Sequence, residues 1–402
     1  MRYPKFLPEG GTIGFLAPSF GCNIEPYRSA FGHAVEKLQA LGYRQVFGPN
    51  CYAGEGVGIS NTPEKCAGEV MDMFLSREAD CLISCGGGEL MCEILPFVDF
   101  EKLAEAEPKW FMGYSDNTNL TYLLATLADT ASVYGPCAAA FGMEPWHASL
   151  EDALGILTGG GRAAGRDADV ADSGSLTGQV GETLTGAGLT EDAGKTSAEP
   201  DRAGGNGRLT TKVSADGHVT VVKGYGMWEK ESLKDEENPL VPYHLTEPLN
   251  IRTFTGREQT DQAVRFRGRL LGGCMDCLVN LTGTRFDRTE AFVERYREDG
   301  IIWFLEACDL NVFATRRAMW QMEEAGWFRH VKGFLFGRPR NGETMMNLDA
   351  YNAVLEVAGR KGVPVVTDVD LGHLPPMMPI VVGSMAEVAV EGNDIRIEMR
   401  YV

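Results

Sequence analysis

Lys109-Trp110-Phe111-Met112-Gly113-Tyr114-Ser115-Asp116-Asn117-Thr118-Asn119-Leu120 is the stretch whose reading decides the fold. Trp110 to Met112 form a short apolar run, as in a buried strand, and Gly113 permits a sharp turn. From Asn117 onward Leu120, Leu123, Leu124 and Leu127 recur at helical spacing. Strand, serine-bearing turn and helix make a nucleophile elbow, which holds the serine oxygen clear of the backbone and aims the first free helical N–H groups at whatever the serine attacks. The same residues also fit an ordinary helix N-cap. Asn117 stands where G-x-S-x-G has its second glycine, so the serine needs partners elsewhere.

Working outward on the N-terminal side, residues 11–18 read as a buried strand, Tyr27 to Leu41 as an amphipathic helix ending at Gly42, and Gln45 to Phe47 as a second strand. Thr62-Pro63-Glu64 opens another helix, because proline suits a first helical turn. Asp80 to Ser84 is the third strand. This alternation predicts a parallel sheet covered on both faces. The third strand runs into Cys85-Gly86-Gly87-Gly88-Glu89 at the carboxyl edge, where open α/β sheets bind ligands. Backbone N–H groups there can approach an oxyanion, although a plain tight turn has the same composition. No G-x-G-x-x-G is present, so no dinucleotide site is expected. Ser115 lies on the same edge as the glycines.

Past Ser132 to Pro136, read as the last strand of this unit, composition changes. Residues 148–224 contain no Phe, Trp or Tyr before Tyr225, and Leu-Thr-Gly recurs at 157–159, 176–178 and 184–186. Residues 159–207 therefore read as a surface insertion, too poor in apolar groups to offset its ordering entropy. The following 209–223 alternates about Asp216-Gly217, as a β-hairpin does. Beyond Tyr225 come a strand and helix in 268–284, the apolar strand Ile301 to Leu305 ending on Glu306, and a strand from Pro364 that runs into Asp368-Val369-Asp370-Leu371-Gly372-His373. Three short antiparallel strands close the chain. The expected division is 1–147, 148–224 and 225–402.

A 402-residue chain of formal charge −19 repels phosphate backbones and anionic membranes, which argues against nucleic-acid binding. No run of about 18 apolar residues is present, and MRYPKFLPEGG lacks a secretory core, so a cytoplasmic protein is expected. Ten cysteines scattered through apolar segments read as reduced core residues. Cys274-Met-Asp-Cys277 has no second pair at zinc spacing and reads as core cysteines on one helix; neither metal nor cofactor is expected.

A serine nucleophile requires a base and a group to orient that base. Of six histidines, His33, His218 and His330 sit in or beside regular elements, His147 and His244 in irregular stretches, and His373 in a Gly/Pro-rich loop that can present a ring to a cleft. Glu306 ends five apolar residues, where a carboxylate is costly to desolvate without a partner; Asp368 and Asp370 compete with it.

The chain resembles the LD-carboxypeptidase family of serine peptidases, which includes the microcin C immunity peptidases. The resemblance rests on GTIGFLAPS at the start, the glycine turn at 86–88, GYSDNTNL, GRLLGGCMDCLVNLTGT, IIWFLE and Gly372-His373. It implies a flavodoxin-like parallel-sheet N-terminal domain and a smaller β-rich α/β C-terminal domain. It also implies Ser115 as nucleophile, Glu306 and His373 as acid and base, the N–H groups of Gly87 and Asp116 as oxyanion hole, and no metal. Cys85 to Gly88 replace the Arg-Gly-Gly-Tyr common in the muropeptide-cleaving branch, and the immunity peptidases are longer in the linker and present a tryptophan to a base. Gly88 and Trp228 are the corresponding substrate-binding candidates here; for Trp228, stacking on a base competes with capping the second domain's core.

The expected substrate is a small peptide or peptidyl-nucleotide with an amide bond near a free carboxylate, either a murein L,D-tetrapeptide or a peptidyl or aminoacyl adenylate. Arginines near the cleft, among Arg265, Arg267 and Arg269, are expected to meet that carboxylate. A homodimer is an open arrangement. The rival reading is a non-catalytic two-domain α/β small-molecule binding protein in which Ser115 only caps a helix.

Overall fold

Residues 1–160, 210–214 and 217–402 are described by the computed structural model. The expected insertion at 159–207 therefore lies almost wholly outside the described residues. The N-terminal half alternates β1 (Thr12–Leu16), α1 (Tyr27–Ala40), β2 (Arg44–Phe47), α2 (Pro63–Leu75), β3 (Cys81–Ser84), α3 (Phe100–Glu105), β4 (Trp110–Gly113), α4 (Thr118–Thr126), β5 (Ser132–Tyr134) and α5 (Ala148–Thr158). α1 buries Ala30, Phe31, Ala34 and Leu38, the apolar stripe read from its spacing, and α2 begins on Pro63 as expected.

The C-terminal half contains β6 (Thr210–Ser214), β7 (Gly217–Lys223), β8 (Met227–Glu229), β9 (Leu245–Pro248), β10 (Arg252–Thr255), β11 (Glu258–Thr260) and β12 (Val264–Cys274). It continues with α6 (Met275–Leu281), α7 (Thr289–Arg295), β13 (Ile301–Glu306), α8 (Val312–Glu324), β14 (Val331–Gly337), α9 (Ala350–Ala358) and β15 (Pro364–Val369). β16 (Ile380–Val382), β17 (Met385–Glu391) and β18 (Asp394–Tyr401) follow.

Two large sheets organise these elements. The first has the order β16-β5-β4-β3-β1-β2, in which the five N-terminal strands pair in parallel in flavodoxin-like order. Its sixth strand was not foreseen: β16 comes from the C-terminal half and pairs antiparallel with β5, Ile380 opposite Tyr134. The second sheet runs β11-β10-β15-β14-β13-β12-β17-β18-β7-β6, with β12 to β15 parallel and antiparallel strands on both flanks. The β6–β7 hairpin extends this sheet through β18. β13 is buried at every position, as befits a central parallel strand covered on both faces.

Helix α4, which follows the serine turn, is held between the sheets. Tyr122 stacks on Trp327 at 5.5 Å, Trp327 on Trp303 at 5.7 Å, and Tyr122 Oη bonds Thr289 Oγ1 at 2.7 Å. Aromatic pairs of this kind add about 0.5–1.5 kcal/mol beyond burial. Thr118 Oγ1, at the start of α4, accepts the N–H of Cys274 at the end of β12, 3.0 Å away. The elbow is thereby anchored to the strand that borders β13.

Candidate active site

Ser115 has φ +62°, a left-handed backbone that costs a non-glycine residue energy and persists only where its surroundings enforce it. A short 3₁₀ turn, Ser115–Asn117, leads into α4, whose N-cap position is Asn117. Ser115 is therefore not the cap of α4; its Oγ lies 2.8 Å from His373 Nε2. Asn117, where the elbow pattern departs from glycine, donates from Nδ2 to the carbonyls of Gly86 at 2.9 Å and Tyr114 at 3.1 Å, tying the elbow to the glycine turn. A β-carbon on Gly87 would sit 3.3 Å from Ser115 Oγ, so the turn passes as close to the serine as a bare backbone allows. At Gly88 a side chain would strike Ser19 Oγ.

Asp116 is buried, and its carboxylate accepts from Ser19 Oγ at 2.6 Å, Met91 N at 2.9 Å and Asn119 Nδ2 at 3.0 Å. Burial, only partly offset by these bonds, pushes its carboxyl up to about 6. The Asp116 side chain thus ties the elbow to Ser19 and to the segment that begins at Met91.

Glu306 ends β13 directly opposite Cys274 of β12. Its Oε2 is 2.9 Å from His373 Nδ1, and its Oε1 accepts from Tyr134 Oη at 2.5 Å. Burial opposes ionisation of Glu306, but the His373 ring and the Tyr134 hydroxyl outweigh it and hold the carboxyl below its usual range. For His373 burial likewise disfavours charge, while Glu306 and the neighbouring Cys308 raise its pKa. The Tyr114 ring stands 5.2 Å from the imidazole.

The loop carrying His373 is shaped by two contacts. Gly372 has φ +90°, and a β-carbon there would overlap the Glu306 carboxylate, so only glycine lets the chain pass. Arg338, buried at the end of β14, donates to the carbonyls of Asp368 at 3.0 Å and Leu374 at 3.1 Å and to Asp370 Oδ1 at 2.8 Å. This strap, and Tyr134, were missed in sequence; an arginine after an apolar strand and a tyrosine ending a short one carry no local signal.

The competing candidates are elsewhere. Asp370 is engaged by Arg338 and by Tyr225 N, and Asp368 by the Tyr351 hydroxyl. His33 bonds Gly142 O, His147 bonds Ser149 at the start of α5, His218 stacks on Tyr401, His244 lies near Glu231 O, and His330 pairs with Glu294. The arginine expectation fails. Arg265 pairs with Glu387, Arg267 is exposed on the same stretch, and Arg269 is buried against Asp299 at 2.6 Å. In the β12–β13 register Arg269 faces Ile301 while Cys274 faces Glu306, so these arginines stand at the far end of the strands.

Arg338 and Arg340 instead line a cavity of about 680 Å³ that also borders Glu306, Trp228, Tyr351 and Leu374. The Arg338 guanidinium lies over the Trp228 ring, 5.0 Å from its centroid. All ten cysteines are free, but Cys92, Cys277 and Cys308 are only partly buried, so not all are the core residues expected. Cys274 closes β12 and only Cys277 is helical, so the pair does not share a helix.

Comparison with known proteins gives the following similarities. The LD-carboxypeptidase N-terminal domain model matches residues 13–135, and the LD-carboxypeptidase C-terminal domain model matches residues 267–388. Over 401 residues the chain is 23% identical to the microcin C7 self-immunity protein MccF of Escherichia coli, covering 98% of this chain and 95% of that one. It is 33% identical over 149 residues to a Vibrio cholerae protein named as a carboxypeptidase, covering 36% of this chain and 43% of the other. The solved structure of MccF in complex with aspartyl sulfamoyl adenosine superposes with a TM-score of 0.71 at 20% identity, over 100% of this chain and 99% of that one.

Proposed function

Because the chain belongs to the LD-carboxypeptidase family of serine peptidases, we propose that Ser115, His373 and Glu306 are its catalytic triad and that it hydrolyses an amide bond near a free carboxylate through an acyl-enzyme. The observation that carries this reading is the continuous hydrogen-bonded line from Ser115 Oγ to His373 Nε2, at 2.8 Å, and from His373 Nδ1 to Glu306 Oε2, at 2.9 Å. His373 takes the Ser115 proton as Oγ attacks the carbonyl carbon, and returns it to the leaving nitrogen. Water, activated by the same ring, then releases the acyl group. The N–H groups of Gly87 and Asp116 face the developing oxyanion, each donor supplying about 3 kcal/mol of transition-state stabilisation. Glu306 holds the ring and offsets its charge. In this reading residues 1–147 bring the nucleophile, 225–402 bring acid and base, and 148–224 link them.

For the substrate, an aminoacyl- or peptidyl-adenylate fits best. The near full-length likeness to MccF, whose structure holds an aspartyl sulfamoyl adenosine, supports it. So does the cavity beside Glu306, where Arg340 suits an anion and Trp228 offers a ring beside a bound base. Gly88, in the glycine turn that packs on Ser19, is the candidate for the acyl part. The stretch of 33% identity to the Vibrio cholerae protein favours a second reading, cleavage of an L,D bond in a murein tetrapeptide. Incubating wild type and Ser115→Ala with both substrate types, followed by mass analysis of the products, separates the readings. Serine-dependent cleavage of the tetrapeptide alone overturns the adenylate assignment, and turnover by Ser115→Ala overturns the triad.

The rival reading, a binding protein with Ser115 as a helix cap, does not fit a side chain bonded to His373.

A further inference from the structure

The Glu306–His373 pair is bordered by sulfur. Cys274 sits opposite Glu306 in the β12–β13 register, which sets its thiol beside the carboxylate. Cys274 Sγ, a Glu306 oxygen and a His373 ring nitrogen all lie within 4.8 Å of one another. Cys274 Sγ is also 3.4 Å from Asp276 Oδ2, whose carboxylate already accepts the N–H groups of Cys308, Asp309 and Leu310. Cys277 neighbours Cys274, and Cys308 neighbours His373.

We propose that Cys274, Glu306 and His373 form a site for one thiophilic divalent cation of the zinc or cadmium type, and that its occupancy reversibly switches off the serine. One thiolate, one imidazole and one carboxylate are a donor set for such ions, not for magnesium or calcium, which take oxygen ligands. With metal–sulfur bonds of about 2.3 Å and metal–nitrogen and metal–oxygen bonds of about 2.0 Å in a tetrahedral shell, the Cys274 thiol must close on the pair by up to roughly an ångström, while His373 Nδ1 and Glu306 Oε2, 2.9 Å apart, must part slightly. The cation takes the place of the thiol proton, which leaves to solvent, and binds Nδ1 of the neutral imidazole, whose proton moves to Nε2. No electrons are exchanged. Nε2 then donates to Ser115 Oγ and has no lone pair to accept the serine proton. The binding half of the proposal stands on the donor geometry alone; the inhibitory half rests on the proposed triad.

The test titrates the purified protein with cadmium chloride. Ultraviolet thiolate-to-cadmium absorption reads binding, and the rate of Ser115 labelling by a fluorophosphonate reads the nucleophile without a substrate. Wild type is expected to bind one equivalent, to lose labelling in parallel, and to recover it with EDTA. Cys274→Ser and His373→Gln are expected each to weaken binding by about tenfold or more, whereas Cys81→Ser, at the start of β3 opposite Trp110 and so at the far end of the strands from Ser115, leaves it unchanged. Absence of the absorption band in wild type, or wild-type affinity in both ligand variants, overturns the site. Labelling that persists at full cadmium occupancy overturns the switch. A wild type that binds cadmium yet never labels without it contradicts the triad reading and leaves the site standing.

Discussion

Tyr134 Oη lies 2.5 Å from Glu306 Oε1, so a strand of the first sheet hands a hydrogen bond to the acid at the tip of a strand in the second. The same oxygen accepts the Ser115 N–H at 3.4 Å. One hydroxyl thus touches both the backbone of the elbow and the carboxylate that orients the histidine.

Tyr134→Phe removes this link while keeping the ring that packs against Tyr114 and Phe304. A buried hydrogen bond to a charged group contributes about 1.5–3 kcal/mol. The expected outcome is a kcat lowered by roughly ten- to a hundredfold with KM little changed and a cooperative melt retained, measured by steady-state kinetics and calorimetry.

The raised pKa of His373 gives a sign to the pH profile. The base must be neutral to accept the serine proton, and a pKa above the ordinary value of about 6.5 delays the neutral form to higher pH. The rising limb of kcat/KM is expected above that value. Glu306→Gln removes the counter-charge and leaves only Cys308 to oppose burial, so the limb moves to lower pH while the plateau falls by about 10⁴, as when a triad acid is neutralised. A limb that stays in place in Glu306→Gln contradicts the assignment of Glu306.

Arg338 and Asp370 form a pair with almost no solvent exposure, 5% and 0%. Truncating one partner strands the other's charge, at a cost of about 3–5 kcal/mol. Arg338→Met is expected to lower Tm sharply, and adding Asp370→Asn is expected to restore part of the loss. A double-mutant cycle by thermal melting checks the coupling, and additivity within error refutes it.

Gly372→Ala places a methyl group against the Glu306 carboxylate on a left-handed backbone. Strain of about 1–3 kcal/mol is expected to be relieved by moving the His373 loop rather than by unfolding the sheet. Activity should then fall by more than tenfold with a modest drop in Tm. Unchanged kcat shows that the loop tolerates the side chain.

Much of this site was readable because its parts are local. Strand, turn and helix around Ser115 are spelled in adjacent residues, and Glu306 is conspicuous as a carboxylate ending an apolar run. What joins them is not local. β16 is recognisable as a strand from Ile380 to Val382, but its own residues do not reveal that it pairs with β5 rather than with its chain neighbours. Arg338 and Tyr134 owe their roles to partners far away in sequence, and the arginines of β12 were placed by composition without the register that sends them to the wrong end of the strand. What favours Glu306 over Asp368 and Asp370 is equally non-local: Arg338 engages Asp370 and the Tyr351 hydroxyl engages Asp368.

The pairing of β16 with β5 also orders events during synthesis. Ser115 and the five parallel strands leave the ribosome first, whereas Glu306, then His373, then β16 follow in that order. At ordinary elongation rates the interval between β5 and β16 is on the order of tens of seconds. Through that time the nascent first sheet has an open edge at β5, and Ser115 has no His373 beside it. The strand that closes the edge emerges directly behind the histidine, so in a nascent chain the seal on the sheet and the hydrogen-bond partner of the Ser115 hydroxyl arrive together.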